Sequence, residues 1–220
     1  MLLFVSLYTA LIELSLILSL SILSCAYVEN IFFAAFEGAV LFEKITDSLV
    51  RGGVVGWLNG RAELGPRALG GRSIIADPRR NDAKEILNLK IKRRESFRPF
   101  APSILKEYVS EYFELNDDVP FMEKVFLIKK EKRGEIPAVT HVDGTGRLQS
   151  VDKEVSPRYY ALIETFRKKT GIPILLNTSF NENEPIVNSP SEALDCYLRT
   201  NMDMLVMENI VVERLPGENY

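Results

Sequence analysis

The stretch VVGWLNGRAELGPRALGGRSIIA, residues 54–76, places two short apolar runs on either side of a loop rich in glycine and arginine. VVGWL (54–58) and SIIA (73–76) have the length and composition of buried strands. Glycine lets backbone N–H groups approach a ligand closely, and the planar guanidinium group of arginine matches phosphate oxygens two at a time. The stretch therefore predicts two core strands joined by a loop suited to binding an anion.

Three arginines in this loop are candidate ligands: Arg61, Arg67 and Arg72. No lysine occurs between residues 52 and 83, which favours geometric recognition of an anion over bulk charge. No GKS or GKT follows, so the loop is not a Walker phosphate loop. A structural turn with arginines on the surface is the competing interpretation.

Helix and strand patterns alternate on the C-terminal side of residue 41, which indicates one α/β domain over residues 41–220. Ser189, Pro190 and Glu192 predict a capping box at the start of the last helix. Helices are expected at 41–53, 82–91, 106–113, 157–171 and 189–201, and further strands at 101–105, 124–128, 147–151, 173–180, 202–208 and 210–215. The alternation predicts a mixed, partly parallel sheet covered by helices.

The first 28 residues are apolar and carry one charge, Glu13. They are long enough to span a bilayer, which takes about 20 apolar residues, but they lack the positive start of a secretory signal. A membrane anchor, a buried helix of the fold and a segment foreign to the domain all remain open. Residues 1–40 are therefore treated as an apolar leader.

Charge and residue counts narrow the function classes. Residues 51–100 have a net charge of +7, although the whole chain has −3. This asymmetry indicates a local anionic ligand and not a general nucleic-acid surface, which needs a broader basic face.

Cys25 and Cys196 lie too far apart in sequence for a metal-binding spacing, and a reducing compartment is expected. The single histidine, His141, excludes a His-rich catalytic metal site built from this chain alone.

The run KIKRRESFRPFAP, residues 90–102, gathers five cations and then two prolines that stiffen the backbone. Phe97 and Phe100 are expected to pack inward and so to fix the directions of Arg94 and Arg98. A rigid frame matters because mobile cations lose conformational entropy when they bind an anion. The run predicts a preorganised anion clamp, and a solvated basic helix face is the alternative.

The stretch AVTHVDGTGRLQS, residues 138–150, holds a turn between polar groups that can hydrogen-bond a ligand. His141 is a candidate, although a lone histidine often has a structural role. Arg147 projects from the strand that follows and is the better ligand candidate.

The stretch LLNTSFN, residues 175–181, is a buried strand that ends in polar residues. Such strand ends commonly bind ligands in α/β sheets, so Asn177, Ser179 and Asn181 are candidates for hydrogen bonds to phosphate or ribose. Ser179 has no visible base partner and is not read as a nucleophile. An ordinary Asx/Ser turn is the alternative.

Taken together and in this order, the four stretches resemble the C-terminal domain of the O-carbamoyltransferase family, which includes nodulation protein U and the cephem and tobramycin carbamoyltransferases. The resemblance covers about residues 48–215. It implies a YrdC-like α/β fold, a twisted mixed sheet flanked by helices. Lys92 and Arg94 match the basic KxR-type segment of that fold, and Ser179 and Asn181 match its SxN-type turn; these motifs bind ATP and the carbamoylated substrate.

The resemblance implies that this domain makes carbamoyl-adenylate from carbamoyl phosphate and ATP, with Mg²⁺ accompanying the ATP. A separate Kae1-like domain or subunit would then transfer the carbamoyl group to a hydroxyl. A cytoplasmic location is expected, with membrane contact through residues 1–28 left open, and no nucleic-acid partner is expected. The catalytic candidates are Arg67, Lys92 and Arg94, and the binding candidates are Arg61, Arg72, Arg98, His141, Arg147, Asn177, Ser179 and Asn181, with no metal ligand among them.

Two other functions remain open at this point. One is a non-catalytic module that binds a nucleotide or RNA, suggested by the basic region and the apolar leader. The other is threonylcarbamoyl-adenylate synthesis, which the same fold allows.

Overall fold

The computed structural model describes residues 25–28 and 31–214 of the chain. Nine of the strands in these residues form one large sheet, and two more form a small separate sheet. In chain order the strands are β1 (Cys25–Val28), β2 (Ile31–Ala35), β3 (Val55–Leu58), β4 (Arg72–Ala76), β5 (Ala101–Leu105), β6 (Phe126–Leu127), β7 (Thr145–Gly146), β8 (Gln149–Val151), β9 (Ile174–Ser179), β10 (Met204–Met207) and β11 (Ile210–Arg214).

The large sheet has the strand order β1-β2-β11-β10-β3-β4-β9-β5-β8, and β6 pairs with β7. The pairs β10–β3 and β5–β8 are parallel, while the other neighbours in the sheet are antiparallel. The prediction of a mixed, partly parallel sheet flanked by helices is confirmed.

Five α-helices lie in the described residues, and predicted sequence signals mark the end of one and the start of another. They are α1 (Gly38–Val50), α2 (Ala83–Ile86), α3 (Val109–Tyr112), α4 (Pro157–Thr170) and α5 (Pro190–Arg199). Gly171 ends α4 in the left-handed region, at a φ of 82°. The predicted capping box of α5 is present: Ser189 Oγ accepts from the backbone N–H of Glu192, and the Glu192 carboxylate accepts from the backbone N–H of Ser189.

Helix α4 packs on β5 and β9, and α5 packs on β10 and β3. α4 buries Tyr159, Leu162, Ile163 and Phe166 on this face. The central strands are buried along most of their length and mainly apolar, and the buried polar residues Arg72, Ser73, Ser103 and Asn177 lie in β4, β5 and β9. The core therefore holds the ends of β4, β5 and β9 in fixed positions.

Some elements differ from the sequence prediction. Of the helix expected over 82–91, only Ala83–Ile86 is α-helical, and the chain continues as a π-helical turn over Leu87–Ile91. A π turn has a wider hydrogen-bonding period, so a search at the α-helical period does not reveal it. The helix expected over 106–113 is a 3₁₀ turn followed by the short α3. The strand expected over 124–128 is shortened to the two residues of β6.

The described part of the apolar leader belongs to the sheet. β2 pairs antiparallel with β1 on one side and with β11 on the other, and α1 already begins at Gly38. The membrane-anchor alternative for residues 1–28 falls largely on residues 1–24, which lie outside the described residues. In the ranges that are described, no helix is long and apolar enough to cross a membrane.

Candidate active site

Strand directions bring four distant segments to one edge of the sheet. β9 lies between β4 and β5 and is antiparallel to both, so the end of β9 meets the starts of β4 and β5. β8 is parallel to β5, so its start lies at the same edge. The loop before β4, the basic run before β5, the residues before β8 and the polar end of β9 therefore converge.

A cavity of about 330 Å³ lies where these segments meet. Four arginines and the polar end of β9 line it. The lining residues are Pro66, Arg67, Ala68, Arg94, Arg98, Pro99, Phe100, Met122, Arg147, Asn177, Thr178 and Ser179. The structure thus brings six of the predicted site residues together around one cavity.

The loop that carries Arg67 is held by a carboxylate. Glu63 Oε1 accepts from the backbone N–H groups of Leu69 and Gly71, both at 2.6 Å. Gly70 has a φ of 110°, a conformation that favours glycine. These contacts fix the loop on both sides of its exposed tip, so Arg67 is presented from a rigid support.

Arg94 is positioned by contacts within the basic run. Its Nε donates to Asn88 Oδ1 at 2.7 Å, and its guanidinium lies 5.0 Å from the centroid of the Phe100 ring. Asn88 Nδ2 in turn donates to the carbonyls of Ser96 and Arg98, at 3.1 and 3.0 Å. The expectation that Phe100 packs inward under Arg94 is confirmed.

Asn88 is a supporting residue that the sequence reasoning missed. It is fully buried within the π-helical turn, where its amide organises the run that follows. The sequence offered one signal for this role, because Asn88 is a polar residue at a helix position where the helical period places apolar residues. Phe97 was wrongly predicted to pack inward, because its side chain is 75% exposed.

The arginines of the cavity raise each other's electrostatic energy. Burial lowers the pKa of Arg94, and the neighbouring charge of Arg98 lowers it further. Burial also lowers the pKa of Arg147, to which Arg67 and Arg94 add their repulsion. Arg98 has a surface partner, Glu95, at 3.2 Å. None of the described residues that line the cavity carries a carboxylate, so the charged groups of this lining are all positive.

Lys92 lies next to the cavity and is only 2% exposed. Its ammonium donates to the Ser179 carbonyl at 2.5 Å and to Asn181 Oδ1 and the Asn181 carbonyl, each at 2.7 Å. Burial and the charge of Arg94 lower the pKa of Lys92 to about 7. The oxygens around the ammonium favour its charged form. The structure thus joins Lys92, Ser179 and Asn181 into one buried cluster.

Three predicted site residues have other positions. Arg72 is buried, and its guanidinium donates to the carbonyls of Asn59, Gly60, Gly71 and Asn188. Arg61 is exposed and is not among the residues that line the cavity. His141 is also outside the lining, and its Nδ1 lies 3.0 Å from Thr145 Oγ1. Burial lowers the pKa of His141.

The described ranges contain no cluster of side chains that could bind a metal ion. No three His, Cys, Asp or Glu residues of 25–28 and 31–214 come together as a metal site.

The fold is an α/β domain of the YrdC-like class, with an arginine-lined cavity at one edge of its sheet. The chain belongs to the carbamoyltransferase C-terminus family, whose sequence model matches residues 46–214. The family prediction and the fold prediction from sequence are both confirmed.

Curated relatives cover most of this chain. Nodulation protein NolO of Bradyrhizobium diazoefficiens is 50% identical over 175 residues, which are 78% of this chain and 32% of NolO. The 3'-hydroxymethylcephem-O-carbamoyltransferase of Amycolatopsis lactamdurans is 36% identical over 166 residues, which are 74% of this chain and 31% of that protein. The chain thus spans about a third of the length of these relatives.

Solved structures share the fold at low sequence identity. Full-length HypF in a phosphate- and nucleotide-bound form aligns with 80% of this chain and 26% of its own, with a TM-score of 0.57 and 19% identity. Sua5 of P. abyssi, complexed with L-threonine, aligns with 79% of this chain and 47% of its own, with a TM-score of 0.54 and 12% identity.

Proposed function

We propose that this domain activates carbamoyl phosphate with ATP to form carbamoyl-adenylate, as one part of an O-carbamoyltransferase. The observation that carries the proposal is the convergence of Arg67, Arg94, Arg98 and Arg147 on one cavity without a carboxylate among its described lining residues. Two phosphorylated substrates repel each other, and converging guanidinium groups offset that repulsion. Family membership supports a carbamoyl group as the unit that is transferred.

The proposed reaction balances with one water. Water releases inorganic phosphate from carbamoyl phosphate and leaves carbamate. A carbamate oxygen then attacks the α-phosphorus of ATP, the bond between the α-phosphorus and the bridging oxygen breaks, and pyrophosphate leaves. The products are carbamoyl-adenylate, pyrophosphate and inorganic phosphate.

The arginines would act at the phosphoryl oxygens of both steps. Arg67 and Arg94 come from two separate segments that line the cavity and would stabilise charge that develops on these oxygens. Lys92 would hold the end of β9 in place through Ser179 and Asn181, and the Ser179 hydroxyl would bind phosphate or ribose. Mg²⁺ would be bound by the phosphate oxygens and water, since the described cavity lining has no carboxylate to offer it.

Transfer of the carbamoyl group to a hydroxyl acceptor would need a second domain or subunit, for which a Kae1-like protein is the candidate. The relatives are about three times as long as the part that matches this chain, which leaves room in them for such a domain. ATP and carbamoyl phosphate are cytoplasmic metabolites, so the proposal places the reaction in the cytoplasm.

The test is a measurement of pyrophosphate release from ATP, Mg²⁺ and carbamoyl phosphate, with carbamoyl-adenylate identified by mass spectrometry. The expected result is one pyrophosphate per carbamoyl-adenylate formed. A folded protein that binds ATP without turnover would instead favour the non-catalytic module. Turnover with threonine and bicarbonate, and none with carbamoyl phosphate, would favour threonylcarbamoyl-adenylate synthesis.

A further inference from the structure

Arg93 lies between the two residues of the KxR-type segment and has an unusual backbone conformation. Its φ is 43°, in the left-handed region that residues with a Cβ seldom adopt. It directly follows Lys92, which ends the π-helical turn with a φ of −82°. Helical turns often end in this way, but the left-handed residue is then usually glycine, which has no Cβ to strain. An arginine at this position therefore needs an explanation from its side chain.

The two neighbours of Arg93 make different contacts. Lys92 is buried, and its ammonium donates to the Ser179 carbonyl and to two oxygens of Asn181. Arg94 instead lines the cavity. The backbone turn at Arg93 thus lies where the basic run meets the polar end of β9.

The side chain of Arg93 contacts the other side of this junction. Its Nη1 lies 3.1 Å from Glu182 Oε1, and its Nη2 donates to the Arg199 carbonyl at 3.3 Å. Glu182 immediately follows Asn181 in the chain, just as Arg93 follows Lys92. The Arg93–Glu182 ion pair therefore bridges the same two segments as the contacts between Lys92 and Asn181.

An exposed ion pair contributes little, and the Arg93 side chain is 60% exposed. The carboxylate end of the pair differs, because the Glu182 side chain is only 8% exposed and a carboxylate with so little hydration needs partners. Arg199 supplies one partner, at 2.8 Å, but it also pairs with Glu184 and Asp195. Arg93 supplies a second cation to Glu182, which accounts for an arginine where glycine would be less strained.

We propose that Arg93 and Glu182 are positioning residues: their ion pair holds Arg93 in the left-handed conformation and so fixes the basic run against the end of β9. Neither residue is among the described residues that line the cavity, so both act through Lys92, Ser179 and Arg94. The inference rests on the proposed function, because it concerns how the groups that would bind ATP are held in place.

The first test compares Arg93→Gly with Arg93→Ala. Both variants lose the guanidinium, but only glycine adopts a positive φ without strain. Urea unfolding should therefore show Arg93→Gly to be more stable than Arg93→Ala. Calorimetry should show that both variants bind ATP about tenfold more weakly than the wild type, because both lack the ion pair. Wild-type affinity in Arg93→Gly would overturn the inference, since Arg93 would then only end the helical turn.

A double-mutant cycle with Glu182→Ala tests the pairing itself. If the two residues act through one contact, combining Arg93→Gly with Glu182→Ala should weaken ATP binding about tenfold, as each change does alone. A loss of about 100-fold, the product of two independent effects, would contradict the pairing. Lys44→Ala is the matched control, because Lys44 pairs with Glu213 at 2.7 Å and lies outside the cavity lining, so its ATP affinity should equal that of the wild type.

A third measurement needs no ligand. Lys92 is 2% exposed and should react with acetic anhydride more slowly than the exposed Lys130, as read by mass spectrometry. Arg93→Gly should speed the acetylation of Lys92 about tenfold and leave that of Lys130 unchanged. Unchanged acetylation of Lys92 would overturn the positioning role even with weaker ATP binding, since Arg93 would then act on ATP directly. A wild type that does not bind ATP would refute the proposed function, while acetylation would still decide the inference.

Discussion

Arg94→Ala removes the most constrained guanidinium of the cavity. Arg94 is half-buried between Asn88 and the Phe100 ring, and its charge lowers the pKa of both Lys92 and Arg147. The substitution deletes one of the four guanidinium groups that line the cavity and leaves the other three in place. The perturbation therefore separates ligand binding from folding.

The expected loss of activity is large and the expected loss of stability is small. Removal of one preorganised donor raises a reaction barrier by about 2.7–4 kcal/mol, which is roughly 100- to 1,000-fold in kcat/KM. Stability loses one hydrogen bond and one cation–π contact, about 1–2 kcal/mol together. Relief of repulsion with Lys92 and Arg147 offsets part of that loss. The free energy of unfolding should thus fall by at most about 2 kcal/mol.

Pyrophosphate release gives kcat/KM, and urea unfolding gives the free energy of unfolding. Arg51→Ala is the matched control, because Arg51 is exposed and lies outside the cavity lining. Free guanidinium ion should restore part of the activity of Arg94→Ala but not affect Arg51→Ala. A kcat/KM within threefold of wild type in a folded Arg94→Ala would refute the role assigned to Arg94.

Three further predictions concern residues that support the cavity. Lys92 has a pKa of about 7 in the folded state against an ordinary value of 10.5, so the folded state binds fewer protons than the unfolded state between these pH values, and the contribution of Lys92 to the free energy of unfolding rises with pH. In urea unfolding, the free energy of unfolding of the wild type should rise by about 2 kcal/mol relative to that of Lys92→Met between pH 7 and pH 9. Parallel pH profiles of the two proteins would contradict this. Glu63→Ala removes the acceptor for two backbone N–H groups and should raise the KM for carbamoyl phosphate about tenfold. Glu63→Gln keeps a carbonyl oxygen that can accept from both N–H groups, so it should retain most of the affinity. Equal kinetics for the two variants would argue against this positioning role. Arg72→Ala leaves several carbonyls without their donor and should lower the free energy of unfolding by about 2–4 kcal/mol in a urea titration, a loss that an Arg61→Ala variant should not show.

The fold class followed from the sequence, but the fate of individual arginines did not. Arg67 and Arg72 lie five residues apart in one motif, yet one lines the cavity and the other is bonded to backbone carbonyls. The acceptors of Arg72 come from Asn59 and Gly60 and from Asn188, which is 116 residues away. Spacing along the chain carries no information about such remote acceptors.

Other differences also arise from contacts that sequence period does not encode. Short apolar runs predicted β4, β5 and β9, but not that β9 lies between the other two, which is the arrangement that assembles the cavity. The π-helical turn and the supporting role of Asn88 were not predicted either, because both depend on contacts that the sequence period does not encode. Phe97 and Phe100 have similar chemistry and opposite burial, since Phe100 packs in the hydrophobic core and Phe97 is 75% exposed. The roles of the site residues stay predictions until the binding measurements are made.

The pairing of β2 with β11 has a practical consequence for shortened chains. The family match begins at residue 46, whereas the sheet already includes Ile31–Ala35. A fragment trimmed to the family boundary would uncover those backbone N–H and C=O groups of Ile210–Arg214 that face β2, along a strand whose first residues are apolar. Such a naked edge invites strand addition from neighbouring molecules, so the trimmed domain would self-associate and its solubility would depend on keeping these upstream residues.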